Sequence, residues 1–589
     1  MSATAAWRRM APADVRPVAE SASAKWAVFA LVSVGTFMTT LDSSIVNIAV
    51  PAIAGSFGTP VGGPIEWVVI AYLVAIAATL LSFSRLADLH GRERVWLAGL
   101  AVFTGGSVLS GLAPSLILLI AARAVQGIGA SLIFAPALAL IFDAFPVGQR
   151  GQALGLNALV VSLGTTAGPT LGGLITESLG WRWIFFVNLP LGLIGLVLAR
   201  RVFAFRAATD GRRFDIVGAA ALGLSLAGLS LGLSFGSEWG WTSPALVLTL
   251  SASLGAFVAA VIFERRRRDP VIDFGQLVSR RLGLPLASFL FSILALFAVG
   301  FLLPLYSEEL RGLTPLAAGL LMTPYSLGLA LASPISGRLA DRGRARWLGP
   351  LGLGLAATGL IVLAGVGVQT ALPAIALWLT VSGVGQGLFL SPNTRDVMSA
   401  VPKERSGEAS GLIATTRVVG QTLSVAIAGA LFVGLGGAAA GAALVSGGAS
   451  AVGGVSAVGG ASATGGAQAL DGTFLTALHA ALLVSGLLAA AGALVSLAGR
   501  LLASDELQAV REDVDRVDRA GRADEEAVAS RASEADVGDG VGHPNRADQI
   551  ATGLVTTDAV AGARPDVAGL VEAEPVEQSR GAFGEDLAA

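Results

Sequence analysis

The sequence predicts an all-α integral membrane protein whose fourteen transmembrane helices form two six-helix halves and an inserted two-helix hairpin. Three observations support this prediction: the composition, a series of long apolar stretches and a weak internal repeat. Hydrophobic residues make up 54% of the 589 residues, charged residues make up 14%, and the mean hydropathy is +0.72. A water-soluble protein cannot bury so much apolar surface, so a lipid bilayer must form part of the surroundings of this chain.

The apolar stretches between charged residues give the predicted helices. A helix needs about 20 apolar residues to cross a hydrocarbon layer of about 30 Å. The stretches of this length cover residues 26–50, 66–83, 95–113, 115–141, 152–178, 183–200, 215–236, 244–263, 283–305, 315–336, 347–367, 371–394, 409–434 and 473–497. No cleavable secretion signal is predicted, because the first 24 residues contain acids and lead directly into the first stretch.

The distribution of basic residues predicts the orientation of the helices. With the N-terminus in the cytoplasm, the loops on that side contain 22 lysines and arginines, whereas the opposite loops contain only Arg182 and Arg311. The positive-inside rule therefore predicts that both termini are cytoplasmic. The strong bias towards arginine, with only two lysines in the chain, suggests a GC-rich bacterium and hence the inner (plasma) membrane.

An internal repeat predicts how the helices are grouped. The segment S-R-L-A-D-L-H-G-R at 84–92 recurs as G-R-L-A-D-R-G-R at 337–344, and Gln126-Gly127 recurs as Gln386-Gly387. Two parallel halves of this kind place a substrate cavity where they meet near the bilayer midplane. The predicted units are an N-terminal tail (1–25), an N-terminal half (26–201), an inserted hairpin (202–281), a C-terminal half (282–500) with a low-complexity extracytoplasmic loop (435–470), and an acidic, disordered cytoplasmic tail (501–589).

The residue inventory excludes several function classes. The chain has no cysteine and only three scattered histidines, which argues against a thiolate or histidine metal site. Neither lysine lies in a G-K-[ST] context, so no phosphate-binding loop for ATP is predicted. No cluster of catalytic groups is visible, so no enzyme activity is predicted. The excess of basic residues in the apolar body follows membrane topology and does not indicate nucleic-acid binding.

Two charged residues lie deep within predicted helices. A charge at the bilayer centre costs about 2.5–3.5 kcal/mol on insertion scales, so Asp42 is expected either to act in proton exchange or to be a neutral acid with a local hydrogen bond. Arg123 stays protonated and needs a partner, a wet cavity or helix carbonyls. Counting at 1.5 Å per residue from Pro51 and Ser115 puts both groups about 12–14 Å below the outer surface.

Three further groups of residues are candidates for function. Gly164, Gly168, Gly172 and Gly173 with Pro169 give the fifth helix a small face and a bend, which suits close helix packing. Asp88, Gly91 and Arg92, with their repeat counterparts Asp341 and Arg344, form a solvated loop or a conformational latch. The candidate cavity residues are Asn47, Tyr72, Gln126, Gln386 and Arg417. Tyr72 is alternatively an interface anchor, and Arg417 either balances charge in the cavity or extends towards the cytoplasm.

Five motifs together resemble the major facilitator superfamily, specifically its 14-helix drug–proton antiporter branch, over roughly residues 26–500. They are L-D-S-S-I-V-N-I-A-V-P at 41–51, S-R-L-A-D-L-H-G-R at 84–92, R-A-V-Q-G-I-G-A at 123–130, G-T-T-A-G-P-T-L-G-G at 164–173 and W-R-W-I-F-F-V-N-L-P at 181–190. The second motif departs from the family pattern at Ser84, where glycine is usual.

The resemblance implies a fold and a function. It implies the major facilitator fold, a role for Arg123 in proton transfer, and a glycine-rich fifth helix that seals the cavity and favours exchange over leak. The expected function is export of apolar or cationic small molecules, such as drugs or antibiotics, in exchange for protons. Such export is driven by the proton motive force without ATP or any other cofactor. The alternatives are an uptake carrier or uniporter on the same fold, and a membrane sensor or scaffold.

Overall fold

The computed structural model describes residues 22–59, 63–203, 215–240, 242–266, 272, 274–342, 347–437, 439–440 and 469–502. The predicted N-terminal tail up to residue 21, most of the low-complexity loop and the acidic tail from residue 503 lie outside these residues.

Fourteen apolar helices cover the described residues, and they confirm the predicted all-α membrane fold. They are α1 (Ala22–Phe57), α2 (Trp67–His90), α3 (Arg92–Leu112), α4 (Leu116–Ala144), α5 (Arg150–Ser178), α6 (Trp183–Val202), α7 (Ile216–Trp239), α8 (Pro244–Arg265), α9 (Arg280–Leu310), α10 (Pro315–Asp341), α11 (Leu348–Leu363), α12 (Leu372–Ser399), α13 (Ser406–Gly434) and α14 (Ala469–Leu502). Thirteen are long and apolar enough to cross a membrane, and α11 is a shorter apolar helix.

Several helices begin where a hydroxyl or carboxylate satisfies a free backbone N–H. Ser115 accepts a hydrogen bond from the backbone N–H of Leu118 at the start of α4. Ser243 and Thr314 do the same for α8 and α10, each followed by a proline at the first helical position. Asp215 accepts from two backbone N–H groups of α7. These are ordinary start signals of helices, and they lie at or beside the starts of the predicted apolar stretches.

The first and ninth helices differ from the predicted apolar stretches in length or in regularity. The first helix continues past Pro51 to Phe57, so the predicted end of this span was wrong by about two turns. The ninth is irregular: its α-helical part ends near Leu305, after Pro304, and residues 306–310 form a π-helical turn. Proline removes a backbone hydrogen bond and permits such irregularities within a transmembrane helix.

Helices at equivalent positions in the two halves pack on equivalent neighbours. Within the N-terminal half, α1 packs on α5 and α4 packs on both α2 and α3. Within the C-terminal half, α12 packs on α10 and α11. The halves meet mainly through α5 with α10 and α2 with α13, and also through α4 with α13 and α5 with α12. Helix α7 of the inserted hairpin packs on α2 and α13. We call the end of the bundle that carries Asp88 and Asp341 the arginine-rich end.

Candidate functional site

The predicted proton-site residue Asp42 lies in the interior of the N-terminal half, and its carboxylate accepts three hydrogen bonds. Oδ2 accepts from Nη1 of Arg123 at 2.5 Å, and Oδ1 accepts from Nε2 of Gln126 at 2.8 Å and Nδ2 of Asn188 at 3.1 Å. The side chains of Asp42, Arg123 and Gln126 have no exposed surface. The structure therefore brings into contact the two charged groups that the sequence predicted at the same membrane depth. The acid lies on α1 and the arginine on α4.

The guanidinium of Arg123 is also held on its other sides. Its Nε donates to the backbone carbonyl of Val68 at 3.0 Å, and Nη1 also donates to Oε1 of Gln126 at 2.8 Å. The guanidinium carbon lies 4.2 Å from the centre of the Tyr72 ring, which gives a cation–π contact. Both proposed partners of this arginine, a carboxylate and a helix carbonyl, are present at once.

Asn188 and Ser107 complete this cluster, and the sequence analysis missed both. Asn188 Nδ2 donates to Asp42 and to Oγ of Ser107 at 3.1 Å, and Ser107 donates to the backbone carbonyl of Phe185. The Asn188 Oδ1 atom is buried without a hydrogen-bond partner among the described residues. Asn188 belongs to the quoted motif at 181–190, but a polar residue near the start of an apolar stretch gives no sign that it points inward. We call Asp42, Arg123, Gln126, Asn188 and Ser107 the Asp42 cluster.

The candidate cavity residues fall into different environments. Tyr72 is buried and donates its hydroxyl to the carbonyl of Thr39, so it belongs beside the Asp42 cluster, as Gln126 does. Gln386, the repeat counterpart of Gln126, is buried and accepts from Ser292. Asn47 is exposed, and Arg417 is partly exposed. Gln126 thus contacts a carboxylate, whereas Gln386 contacts a neutral hydroxyl.

The glycines of α5 allow close contact with the part of α1 that flanks Asp42. A Cβ atom at Gly168 would collide with Ser44 Oγ and lie 2.6 Å from Ser44 Cβ, and one at Gly164 would collide with Thr40 Oγ1. At Gly172 it would lie 2.8 Å from the Ile45 carbonyl oxygen.

Gly173 differs, because its nearest neighbour would be a methyl group of Ile48 at 3.9 Å. Three of the four glycines therefore pack against α1. Pro169 lies within α5, and its side chain is outside the described part of the structure.

At the arginine-rich end, Asp88 joins the two halves. Its carboxylate accepts from the backbone N–H groups of Gly407 and Glu408, both at 3.1 Å, at the start of α13. Arg92 binds the same carboxylate, with Nη2 to Oδ1 at 2.6 Å, and also reaches the carbonyl of Lys403 at 3.2 Å. Gly91 between them has φ of +98°, a conformation that favours glycine.

Asp341 repeats this arrangement in the opposite direction. It accepts from the backbone N–H groups of Gly151 at 2.8 Å and Gln152 at 2.9 Å, at the start of α5. Arg395 lies 3.9 Å from its carboxylate. Arg344, predicted as its partner, lies outside the described residues. Each half thus supplies an aspartate that binds the positive end of a helix in the other half.

The serine at position 84 does not prevent close packing. Its side chain lies against Gly411 of α13, where a Cβ atom would stand 2.4 Å from the Ser84 Cβ. In the repeat, Gly337 packs against Gly151 just as closely. The departure from the usual glycine is therefore accommodated by a glycine on the opposing helix.

Replacing Asp341 with asparagine should open the arginine-rich end more often. A carboxylate at a partly buried helix N-terminus contributes about 1–2 kcal/mol, so the closed form should become about five- to thirty-fold less favoured. The readout is the labelling rate of a cysteine at Ser410, a buried position on α13, by a membrane-impermeant maleimide; the native chain has no cysteine.

Asp215→Asn is the matched control, because Asp215 caps α7 of the inserted hairpin. Equal labelling rates in the Asp341 and Asp215 variants would show that Asp341 is not a latch.

A family model described as the Major Facilitator Superfamily matches residues 32–215, 204–425 and 286–512. The chain belongs to the major facilitator superfamily.

Known members resemble it over most of their length. The multidrug resistance protein Stp of Mycobacterium tuberculosis is 36% identical over 399 residues, which are 67% of this chain and 74% of Stp. The riboflavin transporter RibZ of Clostridioides difficile is 33% identical over 410 residues, 69% of this chain and 88% of RibZ. The crystal structure of the human organic anion transporter MFSD10 covers 79% of this chain and 99% of its own, with a TM-score of 0.52 and 16% identity. This last likeness supports the fold alone.

Membership in the major facilitator superfamily, with transporters among its relatives, makes this chain a multi-pass membrane transporter of small molecules. The two halves of such transporters are parallel repeats related by an axis along the membrane normal, which agrees with the recurrence of Asp88 as Asp341.

Proposed function

We propose that this transporter exports small molecules from the cytoplasm in exchange for protons, with Asp42 as the proton-binding group. The observation that carries the proposal is the complete burial of an acid whose only charged partner among the described residues is Arg123. Asp42 and Arg123 lie on different helices, α1 and α4, so movement of one helix relative to the other would separate the acid from its charged partner and let it exchange a proton. The multidrug resistance protein Stp, 36% identical, supports export as the direction.

The packing of α5 on α1 connects this proton site to movement of the halves. Thr40 and Ser44, which pack against the α5 glycines, lie one on each side of Asp42 along α1 and on the opposite face of that helix. The start of α5 is held by Asp341 of the other half. Release of that contact when the arginine-rich end opens would shift α5 and, through it, α1. Protonation of Asp42 and the opening of one end are thereby linked.

Drug resistance in living cells tests this function. Expression should raise the growth-inhibitory concentration of at least one toxic compound in a panel, and an uncoupler that collapses the proton gradient should abolish its export. Depletion of ATP with the gradient maintained should leave export intact. Export that follows ATP and not the proton gradient would contradict the proposal.

A second candidate is an uptake carrier on the same fold, since the relative RibZ is named a riboflavin transporter, a name that states no direction of transport. The same experiment separates the two, because an uptake carrier sensitises cells to a toxic substrate instead of protecting them.

The proposed orientation puts the arginine-rich end and both termini in the cytoplasm of a bacterial inner membrane. Single cysteines at His90 and Ser450 test it. In intact cells an impermeant maleimide should label the residue 450 variant and spare the residue 90 variant, and inside-out vesicles should reverse the result. The opposite pattern would invert the orientation.

A further inference from the structure

Arg417 is an arginine within the membrane-spanning part of α13 whose charge no described residue balances. Its side chain is only partly buried. Among the described residues, none forms a hydrogen bond, ion pair or ring contact with its guanidinium. An arginine remains charged in proteins, so a site in the membrane interior requires an anion or water beside it. Arg123, by contrast, has its charge balanced by Asp42.

The position of Arg417 along α13 puts its guanidinium far from the arginine-rich end of the bundle. The helix begins at Ser406, eleven residues earlier, and a rise of 1.5 Å per residue gives about 16 Å to the arginine-rich end. This distance exceeds the reach of an arginine side chain. That end is also closed by the contact of Asp88 with Gly407.

Viewed along its axis, α13 carries Arg417 on a polar face between the side that packs on α2 and the side that packs on α9. Gly411 packs against Ser84 of α2, and Gly420 packs against Ile293 of α9. Arg417 falls on the arc between these two sides, and so do Ser410 and Gln421. The opposite arc carries Leu412, Val419 and Leu423 together with Thr415, and Leu412 and Thr415 are buried. An arginine inside a membrane is stable only beside water or an anion, so we place the partly exposed Arg417 towards the space between the halves and not towards lipid.

We propose that Arg417 binds an anionic group of the transported compound, such as a carboxylate, a sulfonate or an acidic phenol. The planar guanidinium presents paired donors that match a carboxylate, and Gln421 lies one turn away to bind a second polar atom. This inference rests on the proposed transport function and specifies the substrate class. It reverses the expectation of cationic substrates, since the carboxylate of Asp42 is unexposed and already bonded to Arg123, Gln126 and Asn188.

Two dyes that differ by one methyl group test this site: rhodamine 110, which has a free carboxylate, and rhodamine 123, its methyl ester. Uptake into inside-out vesicles with an imposed proton gradient, and binding to purified protein by fluorescence polarisation, are measured for each. The wild type should favour the acid. Arg417→Gln should lower affinity for the acid about 10- to 100-fold and leave the ester unchanged. Arg417→Lys should retain part of the preference.

Arg182→Gln is the matched control, because Arg182 is an exposed arginine at the start of α6, outside this polar face. Thermal unfolding of each purified variant checks that it is folded. An equal loss of both dyes in Arg417→Gln, or a wild-type preference for the ester in binding, would overturn the inference.

The uptake measurement tests the proposed function separately from this inference. Dye uptake by the wild type that does not depend on the proton gradient would contradict proton coupling. The binding measurement would still decide the role of Arg417.

Discussion

Asp42→Asn is expected to reduce proton-driven export to the background level of a vector control. The amide has nearly the size of the carboxyl group but cannot bind and release a proton. Its Oδ1 can keep the hydrogen bonds from Gln126 and Asn188, which both reach Oδ1 of Asp42, while its Nδ2 takes the place of the oxygen that accepts from Arg123. Transport is measured in inside-out vesicles with an imposed proton gradient, at matched protein levels.

The loss of the carboxylate also leaves Arg123 as an uncompensated buried charge. Breaking a buried pair in this way costs about 3–5 kcal/mol, so the single variant should also unfold more readily. The double variant Asp42→Asn with Arg123→Gln removes both charges and is the matched control for this effect. It should recover most of the stability and still fail to couple transport to protons. Proton-driven export by the double variant would show that the proton is carried elsewhere.

Gly168→Ala is expected to impair substrate-driven exchange several-fold. Its Cβ would collide with the Ser44 hydroxyl and approach the backbone nitrogen of Ile45 to 3.0 Å, so α1 and α5 must separate. Overpacking of this kind costs about 1–3 kcal/mol. Because α1 carries Asp42, the displacement should affect proton coupling more than substrate binding.

Gly173→Ala supplies the control within the same motif. The added methyl group there would meet no atom closer than the Ile48 methyl at 3.9 Å, so exchange and thermal stability should match the wild type. If both alanine variants are equally active, the small face of α5 serves general helix packing and has no specific part in exchange.

The fold was predictable because the signals are local. Each long apolar stretch depends only on neighbouring residues in the sequence, and the repeat around Asp88 and Asp341 is visible as two similar short segments. Helix ends were less predictable, since α1 runs through Pro51 and helices such as α2 and α12 extend into charged segments that the hydropathy pattern does not distinguish from loops.

The candidate site was predictable only in part. An acid and an arginine within apolar helices are conspicuous, and depth counting placed Asp42 and Arg123 near the same level. Nothing in the sequence specified that Gln126 and Asn188 bind the same carboxylate, because those contacts join residues 84 and 146 positions apart. The binding of Asp88 and Asp341 to helix starts in the opposite half likewise depends on how the halves dock.

Proton movement during transport by the purified protein tests the central claim most directly. The wild type is reconstituted in liposomes that contain a pH-sensitive dye, and a gradient of a compound to which it confers resistance is then imposed. The account predicts that the compound and protons cross in opposite directions, and that Asp42→Asn abolishes the pH change. Transport of the compound without a pH change, or with protons moving in the same direction, would contradict it.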